Sequence, residues 1–166
     1  MSQQKKRTIL LWALYALFFL LILLLQDVVL GKYSLRGVRL CLIPMAAAAV
    51  AVQTGPDKGG LFCLFAGIFW ALSGADDGGA MVFFMTFTGT ISGYLCVSYF
   101  HPRLLPSVLL SVLSLALTLG PVYLAHIYLE GLSLASLGPF GWQMLFSLPF
   151  SPVFYWCCKV IRKAGP

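Results

Sequence analysis

Charged side chains are scarce in this sequence. Only 10% of its 166 residues are Asp, Glu, Lys or Arg, whereas 60% are hydrophobic and the mean hydropathy is +0.93. A soluble domain carries roughly 25% charged residues, because its surface is in contact with water. The composition excludes a water-soluble globular domain and predicts an integral membrane protein.

Groups that could carry out catalysis are also few: the chain has five acidic residues and two histidines. Asp27 lies near the end of the first apolar stretch, and Asp76 and Asp77 lie in a Gly-rich turn, where Asp77 is expected to cap the next helix. His101 and His126 fall on opposite sides of the predicted membrane, so they cannot share a metal. The sequence contains no G-x-S-x-G, H-E-x-x-H or phosphate-binding loop motif. We expect no enzymatic activity, no cofactor and no metal.

The cysteines lack the C-x-x-C spacing of zinc and redox sites. Cys157 and Cys158 are adjacent at the end of the last apolar stretch. Buried thiols are the favoured interpretation for all five cysteines, and lipidation of the adjacent pair is the alternative.

Long apolar stretches dominate the rest of the chain. About 20 helical residues cross a hydrocarbon layer of about 30 Å, and fewer suffice where the layer thins. The sequence predicts one all-α domain over residues 1–166, a bundle of six transmembrane helices. The second and third helices are short, and a turn at residues 55–60 separates them. Together they form either two full crossings, which are favoured, or a re-entrant hairpin, which is the alternative. The expected spans cover residues 8–30, 40–54, 60–73, 79–100, 104–129 and 139–160.

Basic residues are unevenly distributed between the two sides of this six-span arrangement. With the amino terminus inside, eight cations fall on the inner side and three on the outer side, as the positive-inside rule requires. Both termini are therefore expected in the cytoplasm. The basic excess favours contacts with lipid headgroups and not with nucleic acid. The outer loop is the exception: its cations either reach to headgroups or form a contact surface for a partner, and they are Lys32, Arg36 and Arg39.

Small residues recur on single faces of three predicted helices. Such stripes allow membrane helices to pack closely. The favoured interpretation is a packing seam within the bundle; a seam for a partner protein and a polar substrate path are the alternatives. The residues are Gly60, Gly67 and Ala71 in the third helix, Thr86, Gly89, Thr90 and Gly93 in the fourth, and Ser107, Ser111, Ser114 and Thr118 in the fifth.

Two prolines interrupt the last apolar stretch. Pro149 and Pro152 each remove a backbone donor, so a kink is expected there. Ser147 and Ser151 are expected to bond to some of the carbonyls that the kink frees.

The centre of the chain is punctuated by glycines in residues 55–61 (Gly-Pro-Asp-Lys-Gly-Gly-Leu), 65–74, 78–79 and 89–95 (Gly-Thr-Ile-Ser-Gly-Tyr-Leu). These segments, which lie within a stretch of about a quarter of the chain, resemble the rod shape-determining protein MreD family. Ala71 stands where the family commonly has an acidic residue, so a role that needs that charge does not carry over.

This resemblance implies a scaffold of the cell-elongation machinery in the bacterial cytoplasmic membrane. The implied partners are MreC, the MreB filament and the glycosyltransferase and transpeptidase that build peptidoglycan. The MreD family is also similar in structure to the substrate-binding subunits of energy-coupling-factor vitamin transporters. That similarity implies an alternative function, binding of a small molecule near the outer face by the serine stripe with Tyr33, His126 and Glu130.

Overall fold

The computed structural model describes residues 3–29, 40–73, 78–100, 104–130 and 137–164, and these form helices and no strands. The all-α prediction is confirmed for this part of the chain. Between α6 and α7 lies only a short 3₁₀ turn, Leu148–Phe150, so these two continue one another as a sixth, interrupted helix. The helices are α1 (Gln3–Leu24, continued by the π-helical Leu25–Val29), α2 (Ile43–Thr54), α3 (Pro56–Leu72), α4 (Gly78–Ser98), α5 (Leu104–Glu130), α6 (Leu137–Ser147) and α7 (Ser151–Ala164).

Length and composition divide these helices into two groups. Four helical segments within the described residues are long and apolar enough to cross a membrane: Lys6–Val28, Gly79–Ser98, Leu104–Leu129 and Gly138–Lys163. Helix α2 has only 12 residues and α3 has 17. The fold is therefore that of a helical, multi-pass membrane protein with two shorter helices in its bundle.

Helix α2 lies at the centre of the bundle. Its residues from Ile43 to Gln53 are all buried, and it contacts α1, α3, α4, α5 and α7. At 1.5 Å per residue α2 is about 18 Å long, well below the thickness of a hydrocarbon layer. The run of alanines at 46–49 lets the surrounding helices approach its backbone closely.

Polar side chains mark the two ends of α2. At its start, Gln26 Oε1 accepts hydrogen bonds from the backbone N–H groups of Leu42 and Ile43, at 2.7 and 3.1 Å. At its end, Arg162 donates to Gln53 Oε1 at 3.1 Å. The first partner follows the end of α1 and the second lies near the end of α7, so α2 runs from one end of the bundle to the other. Helix α2 therefore extends between a polar contact at each of its ends.

A single residue joins α2 to α3. Gly55 has φ +88° and ψ 177°, a backbone conformation that is essentially restricted to glycine. Pro56 then begins α3, and proline is well suited to the first helical position because its φ is already helical. The sequence predicted a turn over residues 55–60, but only Gly55 lies outside the helices. Helix α3 therefore begins at Pro56, before the start of the expected span at residue 60.

The expected interruption of the last helix is present at Leu148–Phe150, where the 3₁₀ turn separates α6 from α7. The expected role of the two serines is wrong, because the buried hydroxyls of Ser147 and Ser151 have no hydrogen-bond partner among the described residues. One backbone hydrogen bond forms within the turn, from the N–H of Ser151 to the carbonyl of Leu148.

Candidate functional site

The G-x-x-x-G pair of α4 packs against α2–α3 hairpin residues of the same chain. A Cβ atom added to Gly93 would lie 2.7 Å from the carbonyl carbon of Gly55 and 2.8 Å from Cα of Pro56. A Cβ atom added to Gly89 would overlap the Sγ atom of Cys63. Only a hydrogen atom fits at these two positions, so α3 and α4 are in contact along their backbones.

The remaining small residues of this seam belong to the same interface. A Cβ atom at Gly60 would lie 2.5 Å from Oγ1 of Thr90, and one at Gly67 would lie 3.0 Å from Cα of Val82. The Thr90 hydroxyl also donates to the carbonyl of Thr86 at 2.9 Å. Gly60 and Gly67 are buried, Ala71 and Thr86 are half-buried and Thr90 is exposed.

The polar stripe of α5 also faces the interior. Ser107, Ser111, Ser114 and Thr118 are each at most 2% exposed. The Ser114 hydroxyl donates to the carbonyl of Pro44 in α2 at 3.2 Å, and Thr118 Oγ1 lies 3.4 Å from Thr88 Oγ1 in α4. The stripe therefore joins α5 to α2 and α4. The glycine seam and this stripe both contribute to packing within the chain, and of their residues Thr90 alone is exposed.

Several residues that the sequence singled out lie outside the structural description. Lys32, Tyr33, Arg36 and Arg39 are not among the described residues, and the side chains of His126 and Glu130 are not described. The predicted contact role of the outer loop and the predicted outer small-molecule site stay predictions.

An open apolar groove lies between α1 and α3, and we call it the α1–α3 groove. Its volume is about 600 Å³. Phe62 closes its floor, with its ring 5.8 Å from that of Phe19 and 6.3 Å from that of Trp12. Among the described residues, Lys58 is the one charged side chain that lines it. The full lining is Trp12, Ala16, Phe19, Leu20, Leu23, Lys58, Leu61, Phe62, Phe65, Ala66 and Phe69.

One sequence pattern indicated this groove, but hydropathy alone does not distinguish it from a helix face that contacts lipid. Leu61, Phe65 and Phe69 recur every four residues, on one face of α3. They are 57%, 53% and 61% exposed. The glycines of α3 at 60 and 67 lie off this face, so α3 uses its small residues toward α4 and its large ones toward the groove.

A second open site lies where α2 and α7 end, and we call it the basic pocket. It consists of two cavities, of about 310 and 270 Å³, that share Gln53 and Arg162. From the sequence, the cations of this region indicated only the inner side of the membrane, and Gln53, the one amide within the second apolar stretch, gave no separate signal. The lining residues are Val52, Gln53, Thr54, Gly55, Cys96, Val97, Phe100, Tyr155, Lys159, Arg162 and Lys163.

Among the described residues, no three His, Cys, Asp or Glu side chains lie close enough together to hold a metal ion. No family model, no curated protein and no solved structure matches this chain. The fold is that of a multi-pass helical membrane protein. The part of the chain that the structure describes contains an open apolar groove and an open basic pocket.

Proposed function

We propose that this chain is a non-catalytic membrane scaffold of the bacterial cell-elongation machinery, located in the cytoplasmic membrane. It organises peptidoglycan synthesis by binding MreC, and through it the MreB filament and the glycosyltransferase–transpeptidase pair. The observation that carries the proposal is the open α1–α3 groove, an apolar surface suited to a membrane helix, on a bundle whose own seams are fully used. The resemblance to the MreD family supplies the class of partner.

The residues that carry the resemblance support this proposal by their positions. The segment at residues 55–61 contains the Gly55 link and the start of α3, and the segment at 89–95 contains Gly89 and Gly93 of the α3–α4 contact. These glycines shape the α2–α3–α4 unit that forms one wall of the groove. The resemblance therefore concerns residues that determine the form of the scaffold.

Packing is the physical basis of partner binding in this proposal. Hydrocarbon already solvates leucine and phenylalanine, so membrane helices associate through shape complementarity and not through the hydrophobic effect. The groove surface is uneven, because the half-exposed rings of Phe65 and Phe69 project from it whereas Ala16 has a small side chain. A single-span helix, such as that of MreC, fits the groove by inserting side chains over Ala16 and between the rings.

The proposal places both termini in the cytoplasm. The basic ends of α1 and α7 lie at the same end of the bundle as Lys58 at the start of α3, since Lys58 lines a groove with Trp12 and Arg162 bonds to Gln53. Reporter fusions provide the test: alkaline phosphatase at either terminus is expected to be inactive and green fluorescent protein to be fluorescent. Active phosphatase at either terminus would contradict this orientation.

The functional test is depletion of the chain from rod-shaped cells that have no second copy. We expect the cells to become round and the amount of MreC that co-purifies with the tagged chain to depend on the groove. Ala16→Phe fills the groove, whereas Ala13→Phe adds the same ring to an exposed position of α1 outside it. We expect only Ala16→Phe to lose MreC and to fail in restoring the rod shape.

Two results would reject the proposal. One is a normal rod shape after complete depletion. The other is undiminished MreC recovery with the folded Ala16→Phe variant, which would indicate that lipid and not MreC contacts the groove.

A further inference from the structure

We propose that the basic pocket is a binding site for a phosphate group, either free or as the phosphodiester of an anionic phospholipid headgroup. The site goes beyond the proposed scaffold function and does not depend on it. It is built around Gln53, Arg162, Lys159 and Lys163.

The first argument concerns the buried amide of Gln53. The side chain is 9% exposed, and its Oε1 atom accepts from Arg162 at 3.1 Å. Its Nε2 atom is buried and has no hydrogen-bond partner within the described ranges. A buried donor without a partner costs about 1–3 kcal/mol, and the Gln53 side chain that carries this donor lines both cavities. A ligand in the pocket that offers acceptor oxygens would satisfy it.

The second argument concerns charge. Arg162 lines both cavities, Lys159 and Lys163 line one of them, and no carboxylate of the described residues lines either cavity. The end of α2 contributes only about half a negative charge from its free carbonyl groups, against three positive side chains. The pocket therefore keeps an excess of positive charge, which favours an anion as its ligand.

The third argument concerns geometry. Tyr155, Lys159, Arg162 and Lys163 are spaced by four, three and one residues, so the first three share one face of α7. The Lys159 ammonium group lies over the Tyr155 ring, 5.9 Å from its centroid, which restricts its position. Arg162 is an exposed residue, but its guanidinium group bonds to the buried Gln53 side chain. The guanidinium fork suits the oxygens of phosphate.

The experiment measures binding to the purified full-length protein in a neutral detergent. Two probes are titrated separately at constant ionic strength: inorganic phosphate and dihexanoyl phosphatidylglycerol. Binding is followed as a rise in unfolding temperature and by calorimetry. Saturable binding of both probes would identify a site for phosphate in any form, and binding of the lipid alone would identify a headgroup site. Both results support the proposal, whereas saturable binding of neither would overturn it.

Variants of the lining residues test whether binding is specific to this pocket or reflects a general attraction between opposite charges. Arg162→Gln, and Lys159→Gln combined with Lys163→Gln, are each expected to weaken binding about tenfold, the loss of one charge-assisted hydrogen bond. The double variant does not touch Gln53, so it remains informative if Arg162→Gln fails to fold. Lys58→Gln is the matched control, because Lys58 carries the same charge near this end of the bundle but lines the other site. An equal loss in Lys58→Gln and in the pocket variants would overturn the proposal.

Discussion

The side-chain oxygen of Gln26 lies 2.7 Å from the backbone nitrogen of Leu42, a residue 16 positions further along the chain. The same oxygen accepts from Ile43, so one amide from the π-helical end of α1 caps the buried start of α2. The first N–H groups of a helix have no partner within the helix, and water is excluded around α2. A cap from a neighbouring helix solves this problem at the centre of the bundle.

Replacing Gln26 by leucine should destabilise the protein. The variant leaves two N–H groups at the start of α2 without an acceptor, and we expect a loss of about 1–3 kcal/mol in the free energy of unfolding. The measurement is denaturant unfolding of the purified protein in detergent. Gln26→Glu keeps an accepting oxygen and should retain most of the stability. The exposed neighbour is the control: Asp27→Asn should change little, and equal losses in both variants would contradict the capping role.

Adding a methyl group to Gly93 should separate α4 from the α2–α3 link. The added carbon would lie 2.7 Å from a backbone atom of Gly55, and overpacking of this kind costs about 1–3 kcal/mol. We expect Gly93→Ala to lower the unfolding temperature. Gly141→Ala is the control, because a Cβ atom there has no neighbour within 4 Å. If Gly93→Ala unfolds at the same temperature as the unmodified protein, the close approach of α4 to Gly55 is wrong.

Gly55→Ala tests the backbone of the one-residue link. Alanine at φ +88° and ψ 177° carries a conformational penalty of about 1–3 kcal/mol, although its side chain would meet only Val97, at 3.9 Å. The loss of stability in Gly55→Ala should therefore come from backbone strain and not from a steric clash. Gly79→Ala serves for comparison, since it has open space around it in α4. A stability like that of the comparison variant would show that the link has a different conformation.

The thiols provide a test of burial. Cys157 is half-buried, whereas the other four cysteines are buried. In the folded protein we expect one thiol per chain, Cys157, to react rapidly with a maleimide, and all five to react after unfolding. Peptide mapping identifies the labelled residue. Rapid labelling of Cys63 or Cys158 in the folded protein would show that the bundle is open where the structure has it closed.

The sequence predicted the helical class and the small-residue stripes, because hydropathy and residue size act locally along the chain. It did not predict that α2 is the central helix. Lipid is as apolar as a protein core, so hydropathy does not separate a helix that faces lipid from one that faces protein. The alanine run at 46–49 and the isolated amide of Gln53 were the available clues, and both depend on what packs around them.

The turn before α3 shows a second limit of sequence reasoning. Residues 55–60 contain three glycines and a proline, a composition that usually indicates a loop. Pro56 instead starts the helix, and Gly59 and Gly60 lie inside it against Ala51 and Thr90. Glycine marks a turn in one context and a close helix contact in another, and only the position of the neighbouring helix decides between them. The basic pocket was missed for the same reason, because Gln53 and Arg162 are 109 residues apart.

Helix α7 covers one side of α2 and is synthesised after the other helices that contact it. Until its final turns are complete, Gln53 has no guanidinium beside it, and that side of the central helix is bare. Burial of α2 therefore waits for a segment 109 residues further along the chain, and a nascent chain stalled before it would present an incomplete interior to the quality-control proteases of the membrane.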